Sequence, residues 1–217
     1  MKTTNPLLAI SCFLIFFAFT TKPFYASAEP VVDTDGEPLQ WFTNYYVRII
    51  ILGPPRAGLG LDTLNNQSCP LYVSYETESY GFPVSFSPLL SKLPFVPTST
   101  ELNIHTSALT ICIQTLVWKI VPDSKSGVSF VSANGDISPG TGGASSRFKI
   151  EKSGEKDDVY NLVFCLPGTQ QDVCNGLGIH SDEDGKLFLA WAEELNPIQV
   201  VFIKDQLPQL PKNILQA

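Results

Sequence analysis

Short apolar runs, broken at close intervals by turn-forming residues, constrain this chain more than any other feature. Segments 46–52, 71–75, 83–86, 102–105, 110–113 and 118–121 are rich in Val, Ile, Phe and Tyr, and so are 128–131, 148–151, 159–165, 177–180, 186–190 and 199–203. Each is bounded by Gly, Pro, Asn, Asp or Ser, the signature of about a dozen short β-strands. With 17 prolines and 15 glycines, no long amphipathic helical pattern survives. The chain reads as all-β. Asn134-Gly135 and Asp184-Gly185 are turn signals, the second lying between apolar runs as a hairpin turn would. Three units of four strands would suit the count, although no repeat is visible in the residues themselves.

The first residues set an expectation about compartment. Lys2 precedes an apolar run from Leu7 to Phe19, and Ala26-Ser27-Ala28 supplies small residues at the −3 and −1 positions of a cleavage site. That layout predicts a secretory signal peptide over residues 1–28 and one domain over residues 29–217. A membrane anchor is disfavoured, because a spanning helix needs about 20 apolar residues. Secretion is therefore expected, to the apoplast or to a vacuole. The whole sequence carries a formal charge of −7, and removal of Lys2 and Lys22 makes the remainder more acidic. No basic run is present, which argues against nucleic acid and against anionic membrane as partners.

Four cysteines remain once Cys12 leaves: Cys69, Cys112, Cys165 and Cys174. In an exported chain an even count predicts two disulfides, and four cysteines permit three pairings. The nine-residue separation of Cys165 and Cys174 favours a short local bridge. A metal site is not expected, since there is no Cys-x-x-Cys and the only histidines are His105 and His180. No hydrolase signature accompanies either histidine, and all four thiols are expected to be oxidised, so no catalytic residue is assigned. The adjacent acids Asp157-Asp158 and Glu193-Glu194 would point to opposite faces of a strand, a poor arrangement for a glycosidase pair. Asp182-Glu183-Asp184 lacks a calcium loop's ligand pattern and reads as a solvated turn. The glycine-containing segments 53–60 and 140–143 lack a Lys-Ser/Thr ending and read as loops. Asn66-Gln67-Ser68 is an N-glycosylation sequon, with Asn66 the candidate acceptor.

Several motifs in order resemble one family. Val31-x-Asp33-x-x-Gly36-x-x-Leu39, followed by Tyr45-x-Val47, is similar to the N-terminal signature of the soybean-trypsin-inhibitor, or plant Kunitz-type, family. Asn66-Gln67-Ser68-Cys69-Pro70-Leu71 and Tyr160-Asn161-Leu162-Val163-Phe164-Cys165 resemble the segments around that family's first and third cysteines. Cys174, Gly178-Ile179-His180 and the closing strand at 200–203 follow. The resemblance implies a β-trefoil with bridges Cys69–Cys112 and Cys165–Cys174. It implies a monomeric protein inhibitor that needs no cofactor and binds a serine endopeptidase, rather than an enzyme.

In such inhibitors one rigid, extended loop enters the peptidase as a substrate would, and the residue in the S1 pocket sets the target. The resemblance places that loop at Pro88-Leu89-Leu90-Ser91-Lys92. Leu90 in the S1 position implies a chymotrypsin-like enzyme, whereas a register shift of two makes Lys92 the entrant and trypsin the target. Family inhibitors carry an asparagine that braces the loop, and Trp41 stands there instead, with Asn44 displaced along the chain. The rival readings are inhibition of another peptidase class, or a non-inhibitory trefoil serving storage, defence or carbohydrate binding.

Overall fold

Alternation of buried and half-exposed positions runs along most strands; Tyr45–Ile49, for instance, buries Tyr45, Val47 and Ile49 and leaves Tyr46 and Arg48 partly open. In a strand, successive side chains face opposite sides, so this pattern makes one face core and the other surface. A computed structural model describes residues 28–50, 57–137, 141–154, 156–166 and 172–206. Segment 1–27, which holds nearly all of the expected signal peptide, lies outside the described residues.

Thirteen strands occur among the described residues. They are β1 (Tyr45–Ile49), β2 (Gly58–Thr63), β3 (Leu71–Glu76), β4 (Val84–Pro88), β5 (Leu102–Thr106), β6 (Lys119–Pro122) and β7 (Ser129–Ser132). They continue with β8 (Phe148–Lys152), β9 (Tyr160–Leu166), β10 (Val173–Gly176), β11 (Gly178–Ser181), β12 (Leu187–Trp191) and β13 (Val200–Lys204). Every pairing between these named strands is antiparallel. β1 pairs with β4, β4 with β5, β5 with β8, β8 with β9, β9 with β13, and β13 with β1, so six strands close on themselves. Closure removes the free edges that an open sheet would expose. The hairpins β2–β3, β6–β7 and β11–β12 cap the barrel, and β3, β7 and β12 pair with one another around a three-way centre.

The chain therefore repeats barrel strand, cap hairpin, barrel strand three times, with β10 added beside β9. This is a β-trefoil. The three-unit organisation lives in the connectivity, which is why the residues alone do not display it. Phe86, Phe148, Phe164, Phe202, Tyr45 and Tyr160 fill the interior, with Phe86 and Phe202 edge to face at 5.5 Å between ring centroids. Edge-to-face packing suits the ring quadrupoles. Trp118 is buried with its indole N–H donated to Thr106 Oγ1 at 2.8 Å, so the polar atom is not orphaned.

Several expectations need correction. Segment 110–113 is not a strand but an irregular loop that exposes Ile111 and Ile113. β2, Gly58–Thr63, begins inside the segment 53–60 that reads as a loop, and β10 has no strand signal in the sequence. Asn134-Gly135 forms no turn; the Gly135 N–H instead donates to the Val117 carbonyl at 2.6 Å. In contrast, Asp33-Thr34-Asp35-Gly36 does form a turn. The buried Asp33 carboxylate accepts from the N–H groups of Asp35 and Glu37, and Gly36 takes a φ of 80°. Disulfides join Cys69 to Cys112 and Cys165 to Cys174, the latter directly across the β9–β10 ladder. Among the described residues no helix is long and apolar enough to cross a membrane.

Candidate functional site

The loop at residues 89–94 leaves the end of β4 at Pro88 and re-enters the body of the protein at Phe95. Both ends are tied. Pro88 lies opposite Leu102 in the β4–β5 ladder, and Phe95 forms a bridge with Gln40. Next along, the Val96 N–H donates to the Leu39 carbonyl at 2.8 Å, and the Val31 N–H donates to the Val96 carbonyl at 2.9 Å. The N-terminal segment thus serves as the floor on which the loop's exit is fixed.

Between these anchors most side chains turn outward. Leu90 is 91% exposed, and Lys92, Leu93 and Pro94 are exposed as well, while Leu89 and Ser91 are half-buried. Leu90 is thus free of packing contacts and open to a partner. Two local bonds shape the segment. Ser91 Oγ accepts from the Leu93 N–H at 3.3 Å, and the Leu93 carbonyl accepts from the Trp41 indole Nε1–H at 2.8 Å.

Trp41 is itself held in place. It belongs to a tight turn in which the Gln40 N–H donates to the Tyr45 hydroxyl at 3.0 Å and the Phe42 N–H donates to the Phe86 carbonyl at 2.9 Å. Phe42 adopts a left-handed φ of 61°, which swings its ring into solvent and leaves Trp41 packed partly against the core. The indole thus hydrogen-bonds the loop's backbone from the position at which the family resemblance places a bracing asparagine. The sequence leaves open whether Trp41 replaces that brace, because nothing local shows that a ring at position 41 reaches a carbonyl 52 residues on. Asn44, the displaced asparagine, binds elsewhere: its Oδ1 accepts from Ser107 Oγ at 2.8 Å, at the opposite end of the β4–β5 pair.

Beneath the loop, Ser87 Oγ and His105 Nε2 are 2.8 Å apart on neighbouring strands. Burial pushes the His105 pKa below its ordinary value. Among the described residues no carboxylate hydrogen-bonds to this histidine, and the pair links the two strands that carry the loop. His180 lies far away in sequence and sheet, against the Phe130 ring. Asn66 is exposed at the end of a short 3-10 turn, Leu64–Asn66. Among the described residues no group of three His, Cys, Asp or Glu side chains is placed to hold a metal ion.

A family model described as "Trypsin and protease inhibitor", the legume Kunitz family, matches residues 31–204. The chain belongs to this family. A legume-Kunitz relative, Kunitz trypsin inhibitor 4 of Arabidopsis thaliana, is 35% identical over 217 residues, which is 96% of this chain and 95% of the relative. The 21 kDa seed protein of Theobroma cacao is also 35% identical, over 206 residues, 89% of this chain and 90% of the other. Among solved structures, the Kunitz-type cysteine protease inhibitor PCPI-3 from potato matches with a TM-score of 0.69 at 28% identity. It covers 83% of this chain and 99% of that one. Members of the Kunitz family are inhibitors or seed proteins and are not themselves enzymes.

Proposed function

We propose that this Kunitz-family chain inhibits a serine endopeptidase with an apolar S1 pocket, of the chymotrypsin type. Leu90 enters that pocket, and Leu90–Ser91 occupies the position of the bond to be cut. The observation that carries the reading is the exposed Leu90 side chain on a loop tied at Pro88, Phe95 and Leu93. A loop held in this way loses little conformational entropy on binding. The same ties would keep the two sides of a cleaved bond close together, so that the acyl-enzyme re-forms the bond rather than releasing its product.

Lys92 is exposed two residues further on and gives a trypsin-directed variant of the same mechanism. The Arabidopsis relative is named as a trypsin inhibitor, which supports testing both enzymes. Export of a monomer, with the chain cut after residue 28 and a glycan on Asn66, belongs to the same reading and rests on the sequence alone.

Residues 29–217, purified with both disulfides formed, should be titrated against chymotrypsin and trypsin together with Leu90→Ala and Lys92→Ala. Tight inhibition of chymotrypsin that only Leu90→Ala abolishes is the expected result. Trypsin inhibition lost in Lys92→Ala would move the site by two residues. If neither enzyme slows at micromolar protein, the serine-peptidase reading fails, and a cysteine peptidase or a seed-protein role, as in the potato and cocoa relatives' names, takes its place.

A further inference from the structure

The turn that carries Trp41 touches both limbs of the Leu90 loop. On the entering limb, the Phe42 N–H donates to the carbonyl of Phe86, two residues before Pro88, at 2.9 Å. On the leaving limb, the Trp41 indole donates to the Leu93 carbonyl at 2.8 Å, and Gln40 bridges to Phe95. The Thr43 N–H, donated to the Gln40 carbonyl at 3.4 Å, closes the turn on itself. Residue 42 is thereby fixed at the foot of the loop with a left-handed φ of 61°. Glycine or asparagine takes that conformation readily, whereas a bulky L-residue is strained in it. Phenylalanine stands there nonetheless, its ring 72% exposed and outside the core. The backbone bonds that hold the turn would be the same with glycine. Strain that brings the free protein no core packing, at the edge of a binding loop, points to a use in the bound state.

We infer that Phe42 is a further specificity-determining residue, one that touches the same peptidase that takes Leu90. Its ring rests on the enzyme's surface beside the cleft and favours enzymes whose rim there is apolar over those whose rim is charged. The inference rests on the Leu90 reading and adds to it a residue outside the loop. Reach supports the contact. Leu93 lies three residues after Leu90, so their Cα atoms are at most about 11 Å apart, and the turn is bonded to Leu93. A standard interface covers roughly 800 Å² of each partner, a disc of about 16 Å radius. An enzyme seated on Leu90 therefore spreads over the foot of the loop. The chemistry of the turn selects an apolar rim. No residue from 38 to 47 carries a charge, and Leu93, 37% exposed, continues the apolar surface from Leu90 toward the turn. Because the backbone at Phe42 is already fixed, only the ring's own torsions remain to be ordered on binding.

The test measures inhibition of chymotrypsin and trypsin by wild type, Leu90→Ala, Phe42→Leu, Phe42→Asn and Phe42→Gly. Asparagine and glycine suit the left-handed backbone and remove the ring, and a melting temperature no lower than that of wild type checks that the turn is kept. Against the enzyme that wild type inhibits, Phe42→Asn and Phe42→Gly should each raise the inhibition constant about fivefold or more. Phe42→Leu, which keeps an apolar side chain, should stay within twofold. A residue that only shapes the turn would give the reverse order, with glycine restoring inhibition and leucine not, and that order overturns the inference. It is also overturned if Phe42→Asn and Phe42→Gly inhibit as wild type does while Leu90→Ala does not, which leaves the Leu90 reading standing alone. If inhibition survives in Leu90→Ala and weakens in the variants lacking the ring, the Leu90 reading fails and Phe42 keeps its place in the interface. Inhibition of neither enzyme overturns both. A concentration-dependent wild-type dimer that Phe42→Asn lacks would overturn this inference too, by assigning the ring to a second copy.

Discussion

Trp41 donates its indole N–H to the carbonyl of Leu93 at 2.8 Å, and this bond joins the N-terminal segment to the exposed loop. The carbonyl lies three residues after Leu90, on the side of the loop that would hold the leaving strand of a cut chain. Without this bond, order in residues 90–94 rests on the Ser91–Leu93 contact and on the two anchors. Trp41→Phe keeps an aromatic ring at the position and removes only the donor. A net hydrogen bond contributes about 1 kcal/mol, so the inhibition constant is expected to rise about fivefold. The bond is also made in the free protein, so the melting temperature should fall by only about 2–4 °C. Measuring both quantities separates a loop effect from general destabilisation.

Leu90 has no structural duty that its replacement would disturb, since it is almost fully solvated. Leu90→Arg should therefore fold as wild type does, within about 0.5 kcal/mol, the usual range for exposed substitutions. Its binding should change class. Loss of an anchor residue from a pocket costs 2 kcal/mol or more, so chymotrypsin inhibition should weaken roughly 30-fold or more. Trypsin inhibition should appear or strengthen, because the cation suits an Asp-bottomed pocket. Steady-state inhibition of both enzymes by one preparation decides it, and unchanged chymotrypsin inhibition would remove Leu90 from the site.

The barrel strands were legible because their inward positions alternate: Tyr45, Val47 and Ile49, or Phe148 and Ile150, cannot face water together. β2 was not, because Gly58 and Gly60 look like loop residues. They serve a strand here because neighbours come very close. A Cβ on Gly58 would meet the Tyr80 backbone, and one on Gly60 would meet the Glu76 side chain. Segment 110–113 misled in the other direction. Ile111 and Ile113 alternating with Thr110 and Cys112 read as a half-buried strand, and the sequence cannot say which face has a core to bury against. The position of the Leu90 loop followed from family motifs, but its brace did not, since Trp41 meets Leu93 only through the fold.

His105 gives a pH prediction with a definite sign. Burial holds its folded pKa below the ordinary value of about 6.5, so between those two values the unfolded chain binds a proton that the folded protein does not. Stability contributed by the neutral ring is thus present above pH 6.5 and is lost as pH falls from there toward the folded pKa. His105→Gln keeps a hydrogen-bonding group for Ser87 Oγ and removes the titration. Urea unfolding at pH 8, 7, 6 and 5 should show wild type losing stability relative to His105→Gln as the solution is acidified. A gap that stays constant across that range would mean that the imidazole is not held neutral.

Gly81 tests whether β2 is fixed as tightly as its neighbours imply. It has a φ of 70°, pairs with Leu59 in an isolated bridge, and an added Cβ would drive into the Leu59 carbonyl group. The left-handed conformation alone costs an L-residue about 1–2 kcal/mol, and the clash with backbone adds to it because β2 is paired along its whole length with β3. Gly81→Ala should therefore lose about 2–4 kcal/mol, which for a domain of this size lowers the melting temperature by roughly 5–10 °C. Gly185 provides the control. Its φ is 81°, but an added Cβ would meet nothing within 4 Å. Gly185→Ala carries the conformational cost without the clash, about 1–2 kcal/mol. Equal losses in the two variants would show that the chain around Leu59 gives way, and that β2 is a looser element than its full register with β3 implies.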